Sequence, residues 1–287
     1  MRRWTIVKMN ALEFEEYFRA FDFGGSNNYA QKALPRLAAD FALLDQHLPR
    51  FSGGAVLDMG AARGTGFPLF AALKRFDEIW GAEYSGEPTE IVIASPRERI
   101  AGKRIVCNIE KDDVPLPDGA VDFVCLTEVI EHLLYDPMWA LLEANRVLKS
   151  SGHIFVTTPN LNAASAFSKQ LAGRNPNLFT PYRSANSIYE RHNREYTIDE
   201  LKLLLGKAGF QMQHVATHPP PPLKLSFAIK TLRRLAGLPA RSDELGDFMQ
   251  VLAKKVVDVD REAMQVTDRF PAPVYFVSPN FDGNWWA

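Results

Sequence analysis

Two cysteines, Cys107 and Cys125, are all that 287 residues carry, too few for a disulfide framework. Each sits in an apolar, strand-like run, so both read as buried free thiols. No stretch approaches the roughly 18 uninterrupted apolar residues of a membrane span. The opening Met1-Arg2-Arg3-Trp4-Thr5-Ile6-Val7-Lys8 is basic, but no apolar signal core follows it. The formal net charge is −1, which leaves no overall field to attract nucleic acid or an acidic membrane. No internal repeat stands out, and no low-complexity tract beyond Pro219 to Pro222. These absences predict a soluble cytoplasmic protein without integral membrane association. They are silent on oligomeric state.

Hydrophobic residues make up 46% and charged residues 23%, the balance of a chain that buries a substantial core. Residues 11 to 50 read as helices. Leu12, Phe14, Tyr17 and Phe18 are expected on one face, and Leu34, Leu37, Ala38, Phe41 and Leu44 on another. From Ala55 short apolar runs alternate with helical patterns. Strands are expected at Ala55–Asp58, Glu78–Glu83, Arg104–Cys107, Val121–Leu126, His153–Thr157, Gln211–Thr217 and Phe248–Val257. Helices fall between them, at Gly66–Arg75, around Pro88–Ala94, and from Asp136-Pro137 onward, where Asp caps and Pro suits the first turn. Thr197-Ile198-Asp199-Glu200 is a capping box for a helix that Gly209 closes. This alternation implies parallel strands with helices on both faces.

Asp58 closes the first strand, and Gly60 and Gly64 follow at a spacing that suits a tight turn around a ligand. Glu83 ends the second strand, where a carboxylate can accept both hydroxyls of a ribose. A dinucleotide fold shares these two features. However, Gly60-Ala61-Ala62-Arg63-Gly64-Thr65-Gly66 does not fit G-x-G-x-x-G.

Further words follow in order. They are Val56-Leu57-Asp58-Met59-Gly60, Gly81-Ala82-Glu83-Tyr84-Ser85, Leu116-Pro117-Asp118-Gly119, Glu128-Val129-Ile130-Glu131-His132-Leu133, Arg146-Val147-Leu148-Lys149, Thr158-Pro159-Asn160 and Lys207-Ala208-Gly209-Phe210. From Ala55 to Lys255 the chain resembles the class I S-adenosylmethionine-dependent methyltransferases. The resemblance implies a doubly wound, seven-stranded Rossmann-like sheet with the last strand antiparallel. It implies a helical cap over residues 1–50, a methyltransferase domain over 51–257 with a helical insertion at 219–245, and an extension over 258–287. S-adenosylmethionine would be held by Asp58, Gly60, Ala62, Gly64 and Glu83. Asn108 would meet the adenine amino group, Ile109 and Tyr84 would flank the ring, and Thr127 would lie near the methionine portion. Ala62 replaces the usual middle glycine, which its methyl tolerates if φ is negative.

Methyl transfer demands mainly that the acceptor atom be held in line, with a base where the acceptor must lose a proton. Glu131 and His132 are the candidate catalytic pair. Glu128, Glu131 and His132 share a face if the segment takes a helical turn. With the distant His192 they resemble the metal site of small-RNA 2′-O-methyltransferases, and also the Glu-His region of ubiquinone-biosynthesis O-methyltransferases. Three readings stand side by side: a divalent metal site, a metal-free base, and a structural Glu-His. The expected acceptor is a hydroxyl on a small molecule, sugar or glycan, in a cleft walled partly by Asn160 to Tyr196. An RNA 2′-O-methyltransferase is the alternative, against which the near-neutral charge argues. A non-catalytic cofactor-binding scaffold is another. Lys224, Lys230, Arg233, Arg234 and Arg241 precede the next acid, Asp243. They read as a solvated helix face, a cover for an anionic acceptor, or a membrane-surface contact. Trp285-Trp286 reads as a tail packed on its own domain or on a partner.

Overall fold

Gly54–Met59 is buried at every position and forms β1, as the apolar run Ala55-Val56-Leu57 favours. The computed structural model describes residues 9–51, 53–177, 188–235, 237 and 244–260. Arg241, Trp285 and Trp286 lie outside them, as does most of the expected extension. The chain divides into two units, Met1–Val106 and Cys107–Ala287.

In the first unit, α1 (Ala11–Arg19) and α2 (Asn27–His47) precede β1, α3 (Phe67–Leu73), β2 (Phe76–Glu83), β3 (Glu90–Ala94) and β4 (Arg99–Val106). Asn10 caps α1 in a reciprocal box with Glu13. Phe14 and Phe18 are buried, but Leu12 is 73% exposed. At 100° per residue Leu12 lies nearly opposite the two phenylalanines, so the expected four-residue face contracts. The strands run in the order β3-β4-β2-β1, with β1/β2 and β2/β4 parallel and β3/β4 antiparallel.

The helix expected near Pro88–Ala94 is instead β3. Ile91 and Ile93 are buried while Glu90, Val92 and Ala94 are exposed, a period of two that fits a half-buried strand. Ser95 accepts from Arg97 and Glu98 through its hydroxyl and turns the chain into β4. This hairpin raises the strand count from the expected seven to eight among the described residues.

The second unit carries β5 (Val121–Thr127), α4 (Pro137–Val147), β6 (Leu148–Pro159), α5 (Ala164–Leu171), α6 (Ile198–Lys207), β7 (Phe210–His218), α7 (Leu223–Leu235) and β8 (Phe248–Lys255). Its order is β5-β6-β8-β7. β5 and β6 are parallel, and the last strand, β8, runs antiparallel to both β6 and β7. Asp136 caps α4 through Met138 N at 2.8 Å, and Thr197 and Glu200 form the expected box on α6. Cys107 and Cys125 are buried free thiols.

The Arg146-Val147-Leu148-Lys149 word turns out to be structural. Glu143 is fully buried and accepts from Val114 N at 2.7 Å and from Arg146 Nε and Nη2 at 3.0 and 2.8 Å. The same guanidinium donates to the carbonyls of Val114 and Leu116. One arginine thus fixes the loop before β5 to α4. Lys255 does a similar job at the same, C-terminal end of that helix. Buried, it donates to the carbonyls of Asn145 and Leu148 at 2.6 and 2.7 Å, where a cation complements the helix dipole.

Arg146→Met should strand the Glu143 carboxylate and destabilise the protein by about 3–5 kcal/mol in denaturant melts. A loss under ~1 kcal/mol would show that the clamp is dispensable.

Candidate active site

In the first unit the chain leaves β1 through a run of left-handed residues. Gly60 N and Ala61 N both donate to Ala82 O, at 2.9 and 3.1 Å. Ala62, Arg63 and Gly64 then take φ of +43°, +61° and +84°. Gly64 is required twice over, because a β-carbon there would lie 2.7 Å from Ile91 Cγ2 and its φ disfavours other residues. A β-carbon on Gly66 would lie 2.8 Å from Asp58 Oδ2. Ala62 departs from expectation. Its φ is positive, so the methyl is borne at the cost of left-handed strain.

Glu83 reaches back into this turn. Its Oε1 accepts from Arg63 N at 2.6 Å, and its Oε2 lies 3.0 Å from Arg104 Nε. The second contact is ionic without hydrogen-bond alignment. Arg104 was not legible as a site residue, since nothing in a strand sequence says which cation meets which acid. Tyr84 is 55% exposed. Asp58 is buried, and burial pushes its carboxyl up to about 7, against the lowering effect of Arg36 and with a smaller push from Glu83.

In the second unit, β5 ends at Thr127, and Glu128 follows with φ +54°. Its backbone N donates to Thr157 O at 2.9 Å, and its carboxylate accepts from the Thr157 hydroxyl at 3.1 Å. The helical turn begins only at Ile130 and runs to His132. Glu128 therefore stands apart from the group that does converge, which is Glu131, His132 and His192. One ligand atom from each of these three lies within 4.8 Å of the other two.

Their surroundings set their chemistry. Glu131 is fully buried and accepts from Thr158 Oγ1 at 2.9 Å. His132 Nδ1 lies 3.0 Å from Arg191 O, and His192 Nδ1 lies 2.9 Å from Glu195 Oε1. A carbonyl and a carboxylate can only accept, so each imidazole carries a proton on Nδ1 and has Nε2 turned away from that partner. The rings meet edge-on at 4.9 Å. Burial, then the His192 neighbour, pushes His132 down to about 4, against the raising effect of the Arg191 carbonyl. His132 is accordingly neutral at physiological pH. Asn193 N donates to Glu131 O and Asn193 Nδ2 to His132 O, each at 2.7 Å. The segment bearing His192 is thereby tied to the Glu131-His132 turn. Glu195, Thr158 and Asn193 escaped sequence reasoning. Only the word Thr158-Pro159-Asn160 hinted at one of them.

Asn108 donates from Nδ2 to Tyr189 OH at 2.8 Å, and its side-chain oxygen accepts from Glu110 N at 3.1 Å. Ile109 is buried. Beside His192 lies a cavity of about 540 Å³ bounded by Asn160, Ser165, Lys169, Asn175 and Asp247, among others.

A strand-end acid, a left-handed turn and a second strand-end acid, followed in the other unit by an antiparallel last strand, describe the class I methyltransferase fold. Residues 27–215 match a family model described as Methyltransferase domain, and the chain belongs to that family. It is 33% identical over 162 residues to a Probable S-adenosylmethionine-dependent methyltransferase of Mycobacterium tuberculosis, covering 56% of this chain and 50% of that one. A ubiquinone biosynthesis O-methyltransferase of Acinetobacter baylyi is 26% identical over 129 residues, with 42% and 50% covered. The chain spans about half the length of the curated relatives it matches. Among solved structures, a chain of the complex between the Haloferax volcanii Trm112 methyltransferase activator and a methyltransferase matches with TM-score 0.51. The identity is 14%, over 85% of this chain and 97% of that one. An S-adenosylmethionine-dependent methyltransferase from Archaeoglobus fulgidus matches with TM-score 0.50 and 17% identity, over 79% and 99%. At these identities the structures share the fold.

Two outcomes follow from the turn. A left-handed alanine costs roughly 1–2 kcal/mol, more than the ~0.4–1 kcal/mol of unfolded-state freedom that glycine adds. Ala62→Gly should therefore stabilise the ligand-free protein by about 0.5–1 kcal/mol, and an unchanged or lower Tm would contradict the strain. Because the Asp58 carboxyl is raised on folding, its contribution to stability is full below about pH 4 and is lost as pH rises through 7. Denaturant unfolding of the parent, compared with Asp58→Asn, should shift in the variant's favour by on the order of 2–4 kcal/mol between pH 4 and pH 8. A pH-independent difference would show that Asp58 is not perturbed.

Proposed function

We propose that the protein transfers a methyl group from S-adenosylmethionine to a hydroxyl of a small molecule, sugar or glycan, at a site centred on Glu131, His132 and His192. The observation that carries the reading is the convergence of these three side chains within 4.8 Å of one another. We assign cofactor contacts to Asp58, Gly60, Ala62, Gly64, Glu83 and Tyr84 in the first unit, and to Asn108, Ile109 and Thr127 in the second. The Glu83 carboxylate, held beside the turn by Arg63 N, is the group we assign to the ribose. The turn can pack this closely on Ile91 because Gly64 has no β-carbon.

The Glu-His-His group fits a divalent cation better than a free base. Both imidazoles have Nδ1 engaged, the arrangement by which a histidine ligand is oriented for a metal at Nε2. A neutral imidazole with so low a proton affinity is a good ligand and a weak base. Glu131, His132 and His192 would hold the ion, and Glu128 would not. A cation there lowers the pKa of a coordinating hydroxyl. Lys169, Asp247 and the amides around the 540 Å³ cavity offer polar partners to an acceptor beside His192, within the volume range of small-molecule sites.

Calorimetry with S-adenosylmethionine and its demethylated product, in the presence and absence of Mn²⁺ or Zn²⁺, tests both parts. Both nucleosides should bind, and Glu83→Ala should weaken them at least about tenfold, as lost charge-assisted hydrogen bonds imply. Metal should bind the parent and bind His192→Ala and Glu131→Gln at least ~10-fold more weakly. No nucleoside binding would sink the methyltransferase reading, whereas equal metal affinity in all three proteins would remove only the cation.

A further inference from the structure

The cations around α7 take no part in the site above, and the helix that carries them is unusual. Its sequence is Leu-Lys-Leu-Ser-Phe-Ala-Ile-Lys-Thr-Leu-Arg-Arg-Leu, 13 residues with no acid. One face is used inward, where Ile229 is buried with Ala164 and Leu245, and Leu225 and Phe167 pack around them. The outward face of such a helix should be polar. Here Phe227 is 69% exposed, Leu235 81% and Leu232 52%. At 100° per residue, Phe227 and Leu235 point away from Ile229, with Lys224 and Arg234 beside them and Leu232 at the edge. The partner helix α5 ends in Leu171, itself 73% exposed.

The charge is equally lopsided. Lys224, Lys230, Arg233 and Arg234 place four cations on this one helix of a chain whose net charge is −1. Exposed aromatic and aliphatic side chains with long cations at their flanks are the elements of an interfacial helix. The apolar groups enter the acyl boundary, and the cations snorkel to anionic headgroups. A helix of this length rises about 20 Å, short of a bilayer core of roughly 30 Å. No helix among the described residues is long and apolar enough to cross a membrane. We propose that the outward face of α7, with Leu171, docks the protein on an anionic lipid bilayer surface. The exposed Phe227, Leu232 and Leu235, interleaved with Lys224 and Arg234, suit a fluid interface, and the excess cations select a negatively charged one.

The test is co-sedimentation of the intact chain with vesicles of phosphatidylcholine, and with vesicles of phosphatidylcholine and phosphatidylglycerol in equal parts. The protein should sediment with the second and weakly or not at all with the first, and release at high salt. Lys224→Glu with Arg234→Glu should weaken binding by at least tenfold. Phe227→Ser with Leu235→Ser should do so to a similar degree, and exposed positions leave the circular dichroism melts of both variants unchanged. Absence of binding to either vesicle, or equal binding to both, would overturn the proposal. So would retention of binding in the serine variant, which would mean charge adsorption without docking. A concentration-dependent dimer in light scattering that the serine variant dissolves would assign the face to a second copy of the chain.

Discussion

A buried strand has to shed its chain into a loop within one or two residues if the loop is to hold a ligand rather than continue the sheet. Here the backbone leaves both β1 and β5 through left-handed residues. After β1 this costs three consecutive positive φ angles, two of them on non-glycine residues, Ala62 and Arg63. After β5 it costs one, on Glu128. Strain of this kind persists only where its surroundings over-determine it. Glu83 supplies that constraint in the first unit by holding Arg63 N. Thr157 supplies it in the second by bonding both the backbone and the carboxylate of Glu128.

Several buried polar groups are held by partners that a regular element places. Glu143 and Arg146 lie one helical turn apart on α4. Lys255 at the end of β8 reaches the last carbonyls of α4. Glu131 is met by Thr158 from β6. His132 and His192 take their orientation from the Arg191 carbonyl and the Glu195 carboxylate, each of which can only accept.

Much of this was readable in the sequence because the relevant signals are local. The caps at Asp136 and Thr197 and the left-handed backbone at Gly64 depend on neighbours within a few residues. The errors share a cause. Pro88–Ala94 was expected as a helix because a short apolar run does not declare its period, and only the alternate burial of Ile91 and Ile93 does so. Leu12 was grouped with Phe14 although their angular separation puts them nearly opposite. Ala62 was judged by its side chain when its backbone angle decides. Glu128 was placed with Glu131 and His132 on the assumption of a helical turn, and the turn starts two residues later. The pairings of Glu83 with Arg104, of His192 with Glu195 and of Glu131 with Thr158 are set by tertiary or loop geometry that no spacing rule encodes.

Ala62 bears on how the turn came to tolerate strain at all. With Gly64 fixed by its contact to Ile91, the path of the backbone through residues 62 and 63 is already determined by its two ends, Gly60 bonded to Ala82 and Gly64 bonded to Ala61. Thr65 Oγ1 then closes on the Ala62 carbonyl at 2.9 Å. An alanine there cannot escape to a right-handed conformation without breaking that carbonyl contact and the hydrogen bond from Arg63 N to the Glu83 carboxylate together. The penalty is thus confined to one or two residues. In exchange, residue 62 loses the unfolded-state freedom of glycine, and the turn that shapes the ligand approach is stiffer than a glycine turn would be.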